Sequence, residues 1–168
     1  MSKATATEVY QLLAEMQIPY ERVDHKAVFT VAEIDFVIDG SDVKNLLMKS
    51  KKTRNYYFVI CPGKKRLDIK ALAKAVGESQ LSFASEVELF DLLGLERGSV
   101  TPLALPHDTE HQITLVIDET IDQTKKIGFH PNTNTATVVI AFSDFKRFLA
   151  NIAIEPTYLV IPEKQPEA

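Results

Sequence analysis

The chain has 168 residues, 45% of them hydrophobic and 25% charged, with a formal net charge of −4. That is enough material for one domain with its own core, and the balance excludes a disordered or collagenous chain. No window approaches the roughly 18 consecutive apolar residues of a membrane span, the first residues lack the apolar stretch of a secretory signal, and the single Cys61 cannot form an internal disulfide. These features predict a cytoplasmic protein with no membrane partner.

Charge is distributed unevenly. Between Lys44 and Lys70 there are nine basic residues and one acid, Asp68, so this stretch carries +8 while the rest of the chain carries −12. Such asymmetry fits a local polyanion site, although two solvated hairpin tips would produce it as well.

Three capping-box patterns, Thr5 to Glu8, Thr30 to Glu33 and Ser85 to Glu88, each predict the start of a helix. In the first, Val9, Leu12, Leu13 and Met16 recur at helical spacing and Pro19 stops the run. The second, from about Val31, is expected to be short because Asp39 and Gly40 follow. Asn45 to Lys49 and Tyr56 to Cys61 are β-rich runs around the polar segment Ser50 to Asn55, which predicts a hairpin. Asp68 can cap a helix striped by Ile69, Leu72, Ala73 and Val76 and stopped by Gly77. The Ser85 helix runs to Leu93 and ends at Gly94.

Ile113 to Ile117, Lys126 to His130 and Ala136 to Ala141 read as strands of one sheet. Ser143 is the expected cap of a last helix carrying Phe145, Phe148 and Leu149, before a strand over Thr157 to Ile161. The sum is an α+β (α/β mixed) single domain spanning the chain, with a mixed β-sheet flanked by helices and a polar tail from 161 to 168.

Chemistry is sparsely signalled. His107 and His111 bracket Asp108 and Glu110 after Pro106, in what reads as a surface loop without a third ligand at a recognised spacing, so no metal is expected. Cys61 ends an apolar strand and reads as a small core hydrophobe. Neither a G-x-S-x-G elbow, a P-loop nor a G-x-G-x-x-G is present, which removes the motif basis for a hydrolase triad, a nucleotide kinase or a dinucleotide enzyme. No cofactor is expected. What remains is a Lys44-Asn45 pair where a polar loop meets a strand, the connection Gly98-Ser99-Val100-Thr101-Pro102, and His130-Pro131-Asn132 at a strand exit. Singly, each is an ordinary surface feature.

Together, Lys44-Asn45-Leu46-Leu47-Met48, Gly98-Ser99-Val100-Thr101-Pro102, Ile117-Asp118 and His130-Pro131-Asn132-Thr133 resemble the YbaK/ProRS-associated domain family, and within it the free-standing prolyl-tRNA editing proteins of ProX/PrdX type. The stretch His25 to Thr30 and the strand Tyr56 to Val59 share the resemblance, which extends from the first helix to about Leu149. The family implies hydrolysis of the ester of mischarged tRNA(Pro), with an essential lysine at the position of Lys44. The Lys-Asn pair and the His-Pro-Asn turn resemble the alanine-clearing branch more than the cysteine-clearing YbaK branch. One departure is Leu47-Met48, where many members carry a phenylalanine.

On this resemblance Lys44 is an electrostatic anchor, and the N–H groups of Gly98 and Ser99 polarise the ester carbonyl. Asn45, Thr101, Pro102, His130 and Asn132 shape the substrate pocket, with Val28, Thr30, Val31 and Met48 as walls. An aminoacyl ester is already activated, so orientation and oxyanion stabilisation could suffice without a triad. The basic residues Lys49, Lys51, Lys52, Arg54, Lys64, Lys65 and Arg66 are candidates for phosphate contacts on the acceptor stem. The implied partners are tRNA(Pro) carrying a wrong amino acid and prolyl-tRNA synthetase. Rival readings are a Cys-tRNA(Pro) deacylase, a non-catalytic module that binds tRNA or the synthetase, and an enzyme using Lys44 as a Schiff-base amine.

Overall fold

A computed structural model of the chain describes residues 2–27 and 38–165. The capping-box helix expected from about Val31 lies outside the described residues.

Both other capping boxes form in full. Thr5 and Glu8 start α1 (Ala6–Glu15), while Ser85 and Glu88 start α3 (Glu86–Leu93), which Gly94 ends in a left-handed conformation at φ 66°. At Gly94 a Cβ would lie 2.6 Å from the Ser2 carbonyl oxygen and 2.8 Å from the Ala4 nitrogen, so the N-terminal segment closes on the one residue type that leaves room. Asp68 caps α2 (Ile69–Ala75) by accepting from the Ala71 N–H.

Among the described residues, eight strands form two sheets. β2 (Val43–Lys49) and β3 (Tyr56–Pro62) make the expected hairpin, in the register Lys44 opposite Cys61 and Leu47 opposite Phe58. A five-stranded mixed sheet runs β4 (Ser82–Phe83), β2, β3, β5 (Ile113–Asp118), β8 (Thr157–Leu159), with β3, β5 and β8 parallel. A separate antiparallel sheet contains β1 (Glu21–Asp24), β7 (Ala136–Ala141) and β6 (Lys126–Phe129), in that order. The single-sheet expectation is thus corrected: β5 pairs with β3 and β8, and β6 and β7 pair with each other and with β1. Dense β-branched composition signals a buried strand but carries no information on which strand it pairs with. β1, Glu-Arg-Val-Asp, has one apolar residue and gives no alternating signal.

Two cores lie on opposite faces of β3, whose side chains alternate between them. Phe58 and Ile60 enter the larger core with Leu13, Leu93, Phe129 and Phe145; Tyr57, Val59 and Cys61 enter a smaller one with Met48 and Leu72 of α2. α4 (Phe142–Asn151) follows β7 without a loop, and its N-cap is Ala141, which makes no side-chain cap. Ser143 therefore sits inside the first turn rather than capping it. Phe142 decides the boundary: it is buried and packs edge-on to Phe145 at 5.9 Å, so the helix starts where that ring turns inward.

Between α3 and β5 the chain forms a 3-10 helix, Pro102–His107, in place of the expected loop, and His107 Nε2 lies 2.6 Å from Glu8 Oε2.

Candidate active site

Lys44 is the second residue of β2, and its Nζ donates to the backbone carbonyl of Lys65. Lys65 in turn donates from Nζ to Asp118 Oδ2 at 2.7 Å and to the Ile161 carbonyl at 2.9 Å. Asp118 ends β5 fully buried and also accepts from the Thr120 N–H at 3.0 Å and hydroxyl at 2.9 Å. A buried ion pair thus fixes the loop whose carbonyl receives Lys44. This corrects the reading of Lys65 as a phosphate contact: its side chain is 11% exposed and its ammonium is committed inward. Cys61, beside Lys44 in the register, is fully buried, and burial pushes its thiol up to about 11, so no thiolate nucleophile is available here.

Pleating sends Asn45 to the opposite face of β2 from Lys44. There Asn45 and Gly98 line one cavity of about 500 Å³, together with Leu47, Phe83, Leu89 and Arg97. Asn45 Oδ1 is buried without a donor, an acceptor that a ligand could satisfy. Gly98, at φ 88°, brings bare backbone to this wall. The neighbouring Ser99 N–H is engaged with the Glu96 carbonyl at 3.1 Å, so of the two donors expected for an ester oxygen only that of Gly98 is unengaged among the described residues. Thr101 is fully buried and caps the 3-10 helix by accepting from the Leu103 N–H, and Pro102 opens that helix. Neither lines the cavity. Met48, with no exposed surface, packs in the smaller core and is not a wall of it.

His130 follows β6 and donates from Nδ1 to the Ala136 carbonyl at 3.0 Å, which leaves Nε2 as the ring's acceptor. Burial, reinforced by the charge of His25 with its ring 6.0 Å away, holds its pKa below the usual histidine value and favours the neutral imidazole. Asn132 adopts φ 59° and donates from Nδ2 to the Thr5 carbonyl, while its Oδ1 is buried without a donor. Asn132 and Ser99 line a second cavity of about 320 Å³ at the start of α1. The structure therefore pairs Asn45 with Gly98 and Ser99 with Asn132. Val28, Thr30 and Val31 lie outside the described residues.

The basic residues separate into two groups. Lys51, Lys52 and Arg54 are exposed on the β2–β3 turn, whereas Lys64 and Arg66 are exposed beyond the other end of β3, near Lys44. Seven residues of strand put about 20 Å between them at roughly 3.4 Å per residue. Lys49, expected among the phosphate contacts, instead pairs with Glu88 at 2.7 Å. Burial pushes the Glu88 carboxyl up, but hydrogen bonds from Lys49, Ser85 and Tyr56 outweigh it and hold the group at about 2. Sequence reasoning missed Glu78, a buried carboxylate beneath the β2–β3 turn. Its only sequence signal is an acid one residue past the α2 stop at Gly77.

Comparison with known proteins places this geometry in context. The model of the aminoacyl-tRNA editing domain family matches residues 25–148. The chain is 33% identical to the prolyl-tRNA editing protein ProX of Acetoanaerobium sticklandii over 140 residues, covering 82% of this chain and 85% of that protein. It is 35% identical to the prolyl-tRNA synthetase associated domain-containing protein 1 of Bos taurus, covering 89% and 91%. A solved structure described as a candidate trans-editing enzyme for prolyl tRNA synthetase superposes with a TM-score of 0.66 at 21% identity, over 97% of this chain and all of that one.

Proposed function

The chain belongs to the aminoacyl-tRNA editing domain family, a class of hydrolases acting on aminoacyl-tRNA esters, and from that premise we infer that it clears tRNA(Pro) mischarged with alanine. The observation that carries this reading is the cavity shared by Asn45, with its unpaired carboxamide oxygen, and the bare backbone of Gly98. Asn45 is next in β2 to Lys44, whose side chain leaves from the other face of the strand. Leu47, Phe83, Leu89 and Val100 give the cavity apolar walls, and Ser85, Glu86 and Arg97 add polar groups beside Asn45 that can hold the amino and ribose groups of an aminoacyl ester.

Water attacks the ester carbonyl carbon, and the bond to the ribose oxygen breaks to give free amino acid and the 3′-terminal hydroxyl. The developing oxyanion is met by the Gly98 N–H, while the Lys44 ammonium, on the other face of β2, serves as an electrostatic anchor for the RNA backbone rather than for the ester itself. His130, which does not line the Asn45–Gly98 cavity, has a shaping rather than a basic role, as a neutral ring held by the Ala136 carbonyl with Pro131 fixing the chain just after it. Selectivity comes from a second sieve. A synthetase pocket built for proline excludes alanine weakly, at about 1–3 kcal/mol per missing methylene, so discrimination between the alanyl and prolyl esters falls to the editing site.

The test is hydrolysis of Ala-tRNA(Pro), Cys-tRNA(Pro) and Pro-tRNA(Pro) under matched conditions. Rapid loss of the alanyl ester alone supports the reading. Preference for the cysteinyl ester moves the chain to the cysteine-clearing branch, and attack on the prolyl ester contradicts the sieve.

A further inference from the structure

The turn between β2 and β3 is built more rigidly than a surface turn needs to be. The Ser50 N–H donates to the Asn55 carbonyl at 2.9 Å, the Arg54 N–H to the Ser50 carbonyl at 2.8 Å, and Arg54 takes a left-handed φ of 62°. Beneath it the Glu78 carboxylate is 7% exposed and accepts from the Thr53 hydroxyl at 2.9 Å, Asn55 Nδ2 at 3.0 Å and the Tyr57 hydroxyl. These hydrogen bonds, that of Tyr57 foremost, hold the Glu78 carboxyl at about 2. Above it Lys51, Lys52 and Arg54 are exposed, and among the described residues none of their side chains has an ion-pair or hydrogen-bond partner. Three unpaired cations on a pre-ordered turn form a ready phosphate site, because little ordering entropy remains to be lost on binding. This turn also stands about 20 Å from the Lys44 end of the hairpin, a distance that a nucleic-acid duplex covers in roughly half a turn.

We propose that the Ser50–Asn55 turn is a second RNA contact, gripping phosphates of the acceptor duplex away from the ester, and that Glu78 is the positioning residue that holds it in shape. This rests on the tRNA-deacylase reading above and adds where the duplex lies: along the β2–β3 hairpin, with its ester end at Lys44, Lys64 and Arg66.

The experiment compares kcat/KM on full-length alanyl-tRNA(Pro) with that on a short alanylated CCA-ended oligonucleotide, at several salt concentrations. The variants are K51E/K52E, Glu78→Gln and a charge-matched control, K125E/K146E, at exposed positions elsewhere. In K51E/K52E the ratio of full-length to short substrate falls about ten-fold, and the salt slope becomes shallower by about 2, near 0.9 per lost phosphate contact. Glu78→Gln lowers the ratio in the same direction while thermal melting confirms that it is folded, and a merely structural role would leave the ratio unmoved. An unchanged ratio in K51E/K52E, or an equal fall in the control, overturns the proposal. So does loss of binding to prolyl-tRNA synthetase or to anionic vesicles with tRNA use unaffected. Should wild-type protein hydrolyse neither substrate, the deacylase reading fails by itself. Binding of uncharged tRNA(Pro) then decides the turn's role: salt-dependent weakening in K51E/K52E supports it, and equal affinity overturns it.

Discussion

Replacing Lys65 by Met leaves the Asp118 carboxylate enclosed with only Thr120 to answer it, and replacing Asp118 by Asn leaves the Lys65 ammonium enclosed with only the Ile161 carbonyl. With side-chain exposures of 11% and 0%, solvent cannot repair either half. Breaking a buried pair from one side costs about 3–5 kcal/mol. With a urea m-value of about 2 kcal/mol/M for a domain of this size, each single variant should lower the unfolding midpoint by roughly 1.5–2.5 M. The double variant removes both charges together, so its loss is smaller than the sum, with a coupling of about 2 kcal/mol. The exposed pair Arg22–Asp24, at 52% and 68%, serves as the comparison: Arg22→Ala should cost below about 1 kcal/mol. Urea unfolding of the four proteins of the cycle measures this directly. Midpoint shifts below about 0.5 M, or additive losses, would refute the reasoning and place Lys65 among the solvated charges after all.

Three further outcomes follow from the same structure. Gly94→Ala adds about 1–2 kcal/mol of left-handed strain and forces the Ser2–Ala4 segment away, so a loss above about 2 kcal/mol in chemical denaturation is expected, against near-neutrality if that segment is loosely held. Cys61 should resist thiol-alkylating reagents at pH 8 in the native protein and react fully in urea; equal rates in both states would show it is open to solvent. Glu78 and Glu88 are held at about 2, below the ordinary value of 4.5, so they contribute stability above pH 4.5 that is lost as pH falls from there toward 2. Thermal midpoints recorded down through that window should fall less steeply in Glu78→Gln and Glu88→Gln, and parallel curves would assign the acid sensitivity elsewhere.

Local signals in the sequence were faithful where the physics is local. The Thr5 and Ser85 boxes, the Asp68 cap and the glycine stop at Gly94 depend on residues within one or two turns, and each formed as read. Strand partnership depends on residues far apart in the chain, and the grouping of β5 with β6 and β7 was lost for that reason. The run Lys64-Lys65-Arg66 shows the same limit in electrostatics. As a string it is three solvated cations; in the fold the outer two face water while the middle one turns to an aspartate 53 residues away. Of the candidate site residues, Asn45 and Gly98 come together on one cavity, whereas the other face taken by Lys44 and the burial of Thr101, Pro102 and Met48 could not be read from the motifs, because burial is set by neighbours that the motifs do not contain. Glu78 gave no motif at all, since its hydrogen-bond partners Thr53, Asn55 and Tyr57 come from a different element.

The most direct test of the account is single-turnover hydrolysis of Ala-tRNA(Pro) by wild-type protein and by Lys44→Ala, with urea unfolding confirming that both are folded. The account predicts a loss of about 10²–10³-fold in the variant, the scale of removing one preorganised electrostatic contact. Hydrolysis retained within a few-fold would contradict the place given to Lys44 and return the search for the catalytic group to the cavity of Asn45 and Gly98.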